Sequence, residues 1–298
     1  MKHAILIFVH QLPEQVNVLI KQLLSYPDFD IFVHINKKND SIRDSLIRDE
    51  RVNITTNNVE VDWGSDNFIQ AELLMFRELI STGIDYKQVV LVSGQDMLIR
   101  GGLDVFLDNH IEEIFSNIYE DDERRRWHVM NKWPAAYRRL IKSRWSPLKW
   151  GRSIHWQLIK HGCTLFRKKV DFNTDNIVFY KNFFWGAIPL VVIKWMVDFI
   201  DKNPSFMSIY RGGMMTEEAF TGTLIMMSPF KDWVHFDEYG IAHDLTFILK
   251  FEQSHPLIIT TKDIEVLDKR KEFFARKFDI RVDKDVIDYY YKKITKTI

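Results

Sequence analysis

Cysteine is nearly absent: Cys163 is the only one in 298 residues. A single thiol excludes an intramolecular disulfide and a cysteine-built zinc site, and it fits a reducing compartment. Long apolar runs are also missing. Met1-Lys2-His3 leads into AILIFV, which ends at His10 and is too short for a signal-peptide core or a bilayer span. The expected location is the cytoplasm. No G-x-G-x-x-G and no P-loop lysine pattern occurs, so a bound phosphate would have to be met by side chains or a metal. Net charge is absent as well, with 41 Lys and Arg against 41 Asp and Glu, which implies no global attraction to a polyanion. Internal repeats and low-complexity linkers are not found.

What is present describes an enzyme-sized chain. A hydrophobic content of 46% over this length supports one large core or two intimate ones. Strand-like runs alternate with helical periodicity: Ala4–Val9, a helix opening at Pro13 with Val16, Leu19, Ile20, Leu23 and Leu24 on one face, Ile31–Ile35, Val52–Thr55, a helix from Asp66 to Ile80, and Gln88–Ser93. Such alternation predicts an α/β fold with a mostly parallel central sheet flanked by helices. Further on, Asn176–Pro189 reads as strand, and Leu190–Asp201, Thr216–Met227, Thr261–Lys271 and Asp283–Thr297 as helices.

The charge is unevenly distributed. From Arg124 to Lys169 there is no Asp or Glu, while fourteen Lys and Arg and five tryptophans (Trp127, Trp133, Trp145, Trp150, Trp156) crowd together, leaving 27 bases against 41 acids elsewhere. Interleaved Arg and Trp suit stacking on single-stranded bases as well as burial at a lipid headgroup boundary. Of these the membrane reading is favoured, with Arg124, Arg125, Arg126, Arg138 and Arg139 facing an anionic surface and no nucleic acid expected. A non-enzymatic polyanion-binding protein built on this segment is the alternative from another functional class.

Ligands of open α/β sheets bind at the carboxyl ends of the strands. There the run QVVLVS ends in Gly94-Gln95-Asp96, with one acid where metal-dependent sugar-nucleotide enzymes carry two. By itself this is also the pattern of a polar turn closing a core strand.

Six blocks in order resemble one family. They are Ile7-Phe8-Val9-His10 with Pro13-Glu14; Ile31–Lys38; Trp63-Gly64 before Gln70–Leu74; Ser93–Asp96; Thr216-Glu217-Glu218 before Thr223-Leu224; and Phe274–Asp279. Together they look like the core-2/I-branching β-1,6-N-acetylglucosaminyltransferases and their peptide-xylosyltransferase relatives, glycosyltransferase family 14, in a bacterial-type member. The resemblance implies a GT-A type fold as a single domain over 1–298: a nucleotide-binding half at 1–119, a basic aromatic helical insertion at 120–170, and an acceptor and catalytic half at 171–298. It implies inverting transfer from a UDP-sugar, GlcNAc by preference, with UDP-xylose, UDP-glucose or UDP-galactose as alternatives. The acceptor would be a glycan or lipid-linked glycan in surface polysaccharide synthesis, and peripheral contact with the inner face of the cell membrane would follow. No cofactor and no metal are expected.

Residue by residue, Glu218 matches the catalytic base. Glu217 stands where the family has Asp. Lys277, with Arg276 beside it, matches the basic residue at the diphosphate. His10 and Asn36 fall at the uridine end, Asn36 replacing an Asp. Asp62 and Trp63 fall in the donor loop, and Asp96 is expected to touch a donor or acceptor sugar. Phe183, Phe184 and Trp185 lie on the acceptor side, where Lys181 and Asn182 replace small residues. His255 stands near a second phosphate-binding position, and His34 reads as structural.

Overall fold

Continuous apolar runs make the centre of the protein. Strand β1 (His3–Val9) is buried along its whole length, helix α1 (Pro13–Leu24) follows, and β2 (Phe29–Ile35) is again fully buried. Then come β3 (Val52–Ile54), α2 (Asn67–Ser81) and β4 (Gln88–Ser93), also fully buried. Strands without a polar face need cover on both sides. Alternation supplies it: Leu6 and Phe8 join one core with Leu73 and Phe76 of α2, while Ile5, Ile7 and Val9 join the other with Val16, Leu19 and Leu23 of α1. The computed structural model describes residues 1–137, 146–249, 251–252 and 255–296.

The chain continues through β5 (Met97–Leu98), α3 (Leu103–Asn109), β6 (Phe115–Glu120), α4 (Asp122–Val129), α5 (Pro147–Lys160), β7 (Tyr180–Pro189), α6 (Leu190–Lys202) and α7 (Glu217–Met227). It closes with β8 (Thr246–Ile248), the short pair β9 (Phe251–Glu252) and β10 (His255–Pro256), α8 (Ile264–Asp268), β11 (Phe274–Arg276) and α9 (Lys284–Thr295). The main sheet has the order β3-β2-β1-β4-β7-β6. Its first four strands are parallel, and β7 runs antiparallel to β4 and β6. Because Val9 pairs with Ile35 and Phe8 with Ser93, β1, β2 and β4 end level, and His10, Asn36 and Gly94 leave the sheet at one edge. A second sheet, β5-β11-β8, starts immediately beyond that edge.

A buried side chain ties the sheets together. Gln15 of α1 donates from Nε2 to the carbonyls of Gly94 and Phe278, both at 3.2 Å, and its Oε1 accepts from the Ile280 amide at 2.9 Å. Gly94 is required by close approach: a Cβ there would lie 2.8 Å from Val16 Cγ2.

The expected α/β architecture is present, with its helices close to their predicted bounds, but three readings need correction. Thr261–Lys271 is not one helix: a single 3₁₀ turn at Thr261–Asp263 precedes the five-residue α8, and the chain then leaves helical geometry. Strands β6 and β8 and helix α3 were not foreseen.

Most consequentially, the arginines and tryptophans of 120–170 do not form a uniform outward face. Arg125 is 1% exposed. Arg126 pairs with Asp122, donates to the carbonyls of Thr174 and Ile177 and lies 5.1 Å over the Phe179 ring. Trp133 is buried with Ile159 and Met214, and Trp127 and Trp156 pack around them. Burying an aromatic of this size gains more than interfacial exposure would, and a buried arginine must keep its partners. Arg138, Arg139 and Trp145 lie outside the described residues.

Replacing Gln15 by Leu conserves volume but leaves an amide and two carbonyls unpaired in the interior. Urea unfolding is expected to show a loss of about 2–4 kcal/mol, and an unchanged midpoint would mean that the clamp contributes nothing.

Candidate active site

At the carboxyl end of β4, Asp96 is 0% exposed. Its Oδ1 accepts from Arg276 Nη1 at 2.7 Å, and its Oδ2 accepts from the Ser93 amide at 2.7 Å and from Trp185 Nε1 at 2.9 Å. Burial pushes the Asp96 carboxyl upward, opposed by the Arg276 cation and these donors. The sugar contact expected of Asp96 therefore becomes an indirect one. Both oxygens are engaged away from solvent, and the carboxylate instead positions Arg276 and Trp185. Arg276 also donates to Ser93 Oγ at 2.7 Å and stacks over Trp185 at 4.5 Å.

Lys277, one residue on, makes no ion pair among the described residues. Burial and the neighbouring Arg276 cation lower its pKa. His10 sits against the same two cations: crowding by the protein first, then Lys277 and Arg276, depress it to about 4. It is therefore a neutral imidazole at physiological pH.

The second strand end is tied down locally. Asn36 Nδ2 donates to the Val61 carbonyl at 2.6 Å, and its Oδ1 accepts from the amides of Val61 and Lys38, both at 3.2 Å. This spends the amide expected to read uridine on holding the backbone at Val61. Asp62 pairs with Lys38 at 2.6 Å, and Arg152 of α5 lies 5.5 Å over the Trp63 ring. Gly64 adopts φ 68°, where a side chain would be strained. Its carbonyl accepts from the Met215 amide at 3.0 Å, so the loop braces the entry to α7. His34 is structural, as expected: Nε2 accepts from the Val59 amide at 3.0 Å, and burial lowers its pKa to about 4.

Helix α7 carries Glu217 and Glu218 in its first turn, where the helix dipole favours carboxylates. It is locked to β7: the Gly222 amide donates to Asn182 Oδ1 at 2.9 Å, and the Tyr180 amide donates to Thr223 Oγ1 at 3.1 Å. Glu218 Oε2 accepts from Arg125 at 2.8 Å and lies 3.9 Å from Lys181 Nζ; no hydrogen bond to Oε1 comes from the described residues. Arg125 is held in turn by Asp121 at 3.0 Å.

Glu217 and Glu72 surround this pair without such donors. Glu217 Oε2 is buried and unpartnered, and burial, then the Glu218 charge, raise its pKa to about 8. Burial raises Glu72 to about 7, offset in part by the Thr221 hydroxyl, which donates at 2.9 Å.

Strand β7 connects the two ends. Lys181, Phe183 and Trp185 alternate onto one face. Trp185 meets Arg276, Phe183 packs on Trp185 at 6.0 Å and under Lys181 Nζ at 4.7 Å, and Lys181 meets Glu218. Between Lys181 and Trp185 the pairing of β7 with β6 shifts register between Ser116 and Ile118, so the strand is bulged along this face. Phe184, expected on the acceptor side with Phe183 and Trp185, points the other way, packing on Phe8 and Phe68. The His255 side chain lies outside the described residues.

Of the residues expected from the sequence, the structure groups His10, Asp96, Arg276, Lys277 and Trp185 at one end of β7 and Glu218 at the other; Arg125 and Lys181 as partners of Glu218, and Glu72, were missed. Lys181 carried a usable signal, a base two residues before an aromatic pair on a strand. Arg125 was masked by the basic run around it.

No protein-family model matches the chain, and no curated protein matches it. Among solved structures, apo mouse xyloside xylosyltransferase 1 covers 92% of this chain and 97% of its own, at 8% identity and a TM-score of 0.35. At that overlap the likeness carries no argument, and the chemistry of the site rests on its own residues.

Because Glu217 takes up a proton more readily folded than unfolded, its contribution to stability is complete below about pH 4.5 and is lost as pH rises through about 8. Glu217→Gln should leave unfolding unchanged at pH 5 and raise the urea midpoint at pH 9. A stabilisation equal at both pH values would refute a protonated Glu217.

Proposed function

We propose that the chain is an inverting glycosyltransferase of the GT-A type that moves a sugar, GlcNAc by preference, from a UDP-sugar to a hydroxyl of a glycan acceptor, without a metal ion. The observation that carries this reading is the β7 face, with the Glu218 carboxylate near Lys181 at one end and Arg276, the chain neighbour of Lys277, over Trp185 at the other; Lys277 makes no ion pair among the described residues. Displacement at an anomeric carbon needs both groups. Glu218 Oε1 takes the proton of the acceptor hydroxyl as its oxygen bonds to the anomeric carbon. The bond from that carbon to the diphosphate oxygen breaks, and Lys277 receives the growing negative charge. Arg125 and Lys181 hold Oε2, which fixes the rotamer that presents Oε1. Trp185 and Phe183 give the sugar an aromatic floor. Neutral His10 beside Lys277 offers the nucleotide a hydrogen-bonding group without competing for phosphate.

Metal independence is part of the proposal. Its support is that both oxygens of the lone strand-end carboxylate, Asp96, already serve Arg276, Ser93 and Trp185. A role in surface polysaccharide synthesis is carried by the sequence resemblance alone.

Screening UDP-sugars for turnover tests the reading directly. Glu218→Gln should cut turnover by roughly 10²–10⁴-fold with UDP affinity near normal, because only the proton transfer is lost. Lys277→Ala should weaken UDP binding and slow transfer together, and both activities should persist in excess EDTA. A fully active Glu218→Gln protein would remove the base, and activity restored only by manganese would remove the metal-free mechanism.

A further inference from the structure

Helix α5 presents an apolar stripe to solvent. Trp150, Ile154 and Leu158 follow one another at four-residue spacing and are 58%, 60% and 44% exposed, while Leu165, on the loop beyond the helix, is 87% exposed. The opposite side of the helix buries His155 and Ile159. The stripe is therefore not the core-facing side of an amphipathic helix but a second apolar surface, and monomeric proteins seldom leave large side chains so aligned.

Its surroundings are as informative as the stripe. Between Arg124 and Lys169 the sequence has no Asp or Glu, so no carboxylate of this segment lies along the helix, and Lys160, Arg167 and Lys169 are exposed near its end. Apart from Asp171, which pairs with Lys169 at 3.7 Å, the charged side chains named beside the stripe are bases, and an apolar stripe edged mainly by bases is complementary to an anionic surface with an apolar layer beneath it. Other apolar partners would not select for the exclusion of acids over 46 residues. A protein groove would need acids that only a dedicated partner supplies, whereas a bilayer supplies phosphates and acyl chains together.

We propose that α5 and the following loop form a monotopic docking surface for an anionic lipid bilayer. Ile154, Leu158 and Leu165 enter the headgroup boundary, and the flanking bases meet lipid phosphates. This differs from a general attraction through Arg124, Arg125 and Arg126, of which Arg125 and Arg126 are committed to carboxylates inside the protein. It does not rest on the glycosyltransferase reading. It would, however, hold the cleft beside a membrane, since Arg152 of the same helix covers Trp63 of the donor loop.

Co-sedimentation with phosphatidylglycerol vesicles, against phosphatidylcholine vesicles and over a salt series, provides the test. The intact chain should bind the anionic vesicles at low salt and retain a fraction of that binding at high salt. The double variant Ile154→Ser, Leu158→Ser should bind at least about tenfold more weakly at every salt concentration. Lys160→Ser with Arg167→Ser should remove the salt-sensitive part and leave the salt-resistant part. Circular dichroism and thermal midpoints check folding. Should the apolar pair fail to fold, Leu165→Ser alone carries the same comparison. Absence of binding to anionic vesicles at low salt overturns the proposal, and so does binding untouched by the folded apolar variants. A concentration-dependent dimer that those variants abolish would also overturn it, by assigning the stripe to a second copy of the chain.

Discussion

The buried pair of Asp96 and Arg276 is the constraint on which the site depends. It joins the end of the main sheet to the second sheet, and through Trp185 it joins both to β7. Desolvating two charges is costly, and such a pair adds little net stability over a well-packed apolar substitute. Its value is positional. Losing either partner would strand a charge in the interior at a cost of about 3–5 kcal/mol, so the strand end, the Arg276 side chain and the indole are held in one arrangement. Lys277 inherits that placement by being next in the chain, with the backbone fixed again where the Ile259 amide donates to its carbonyl at 2.8 Å.

Much of the fold was legible because its central strands carry unbroken apolar runs. In β1, β2 and β4 every residue is buried, and there periodicity and burial give the same answer. Strands β6 and β8 were not legible. FSNIYE has one face exposed at its end, and TFI is too short to show any period. Both are strands because neighbours pair with them. The Thr261–Lys271 segment misled for the converse reason: local propensity favours helix, but Phe273 and Phe274 must reach the core with β5 and β8, and the chain turns early to deliver them.

The candidate site divides along the same line. Glu218 and Lys277 stand inside short patterns that can be read locally. Arg125 meets Glu218 across 93 residues of sequence, and nothing local separates it from Arg124 and Arg126. Three consecutive arginines thus have three environments: exposed, fully buried on two carboxylates, and stacked on Phe179. Helical geometry does the sorting, since successive side chains are turned about 100° from one another and only one of the three can face α7. A run of like charges in sequence is therefore weak evidence for a charged surface when it lies on a helix.

That single buried arginine also decides how charge is distributed among the neighbouring acids. Glu217, Glu218 and Glu72 interact with one another, and Arg125 donates to only one of them. Glu217 and Glu72, without a cationic donor, are pushed up to about 8 and about 7 by burial. Carboxyls raised in this way carry less negative charge beside Glu218 than ordinary carboxylates would. Were Arg125 to turn toward Glu217 instead, the negative charge would move one residue along the helix. Consecutive residues on α7 point about 100° apart, so the charge would leave the β7 face that Lys181 shares with Phe183 and Trp185. The selection of Glu218 over its neighbour is thus made by α4, which follows the edge strand β6 and packs against β7, and Asp121 enforces it by fixing the Arg125 side chain from behind.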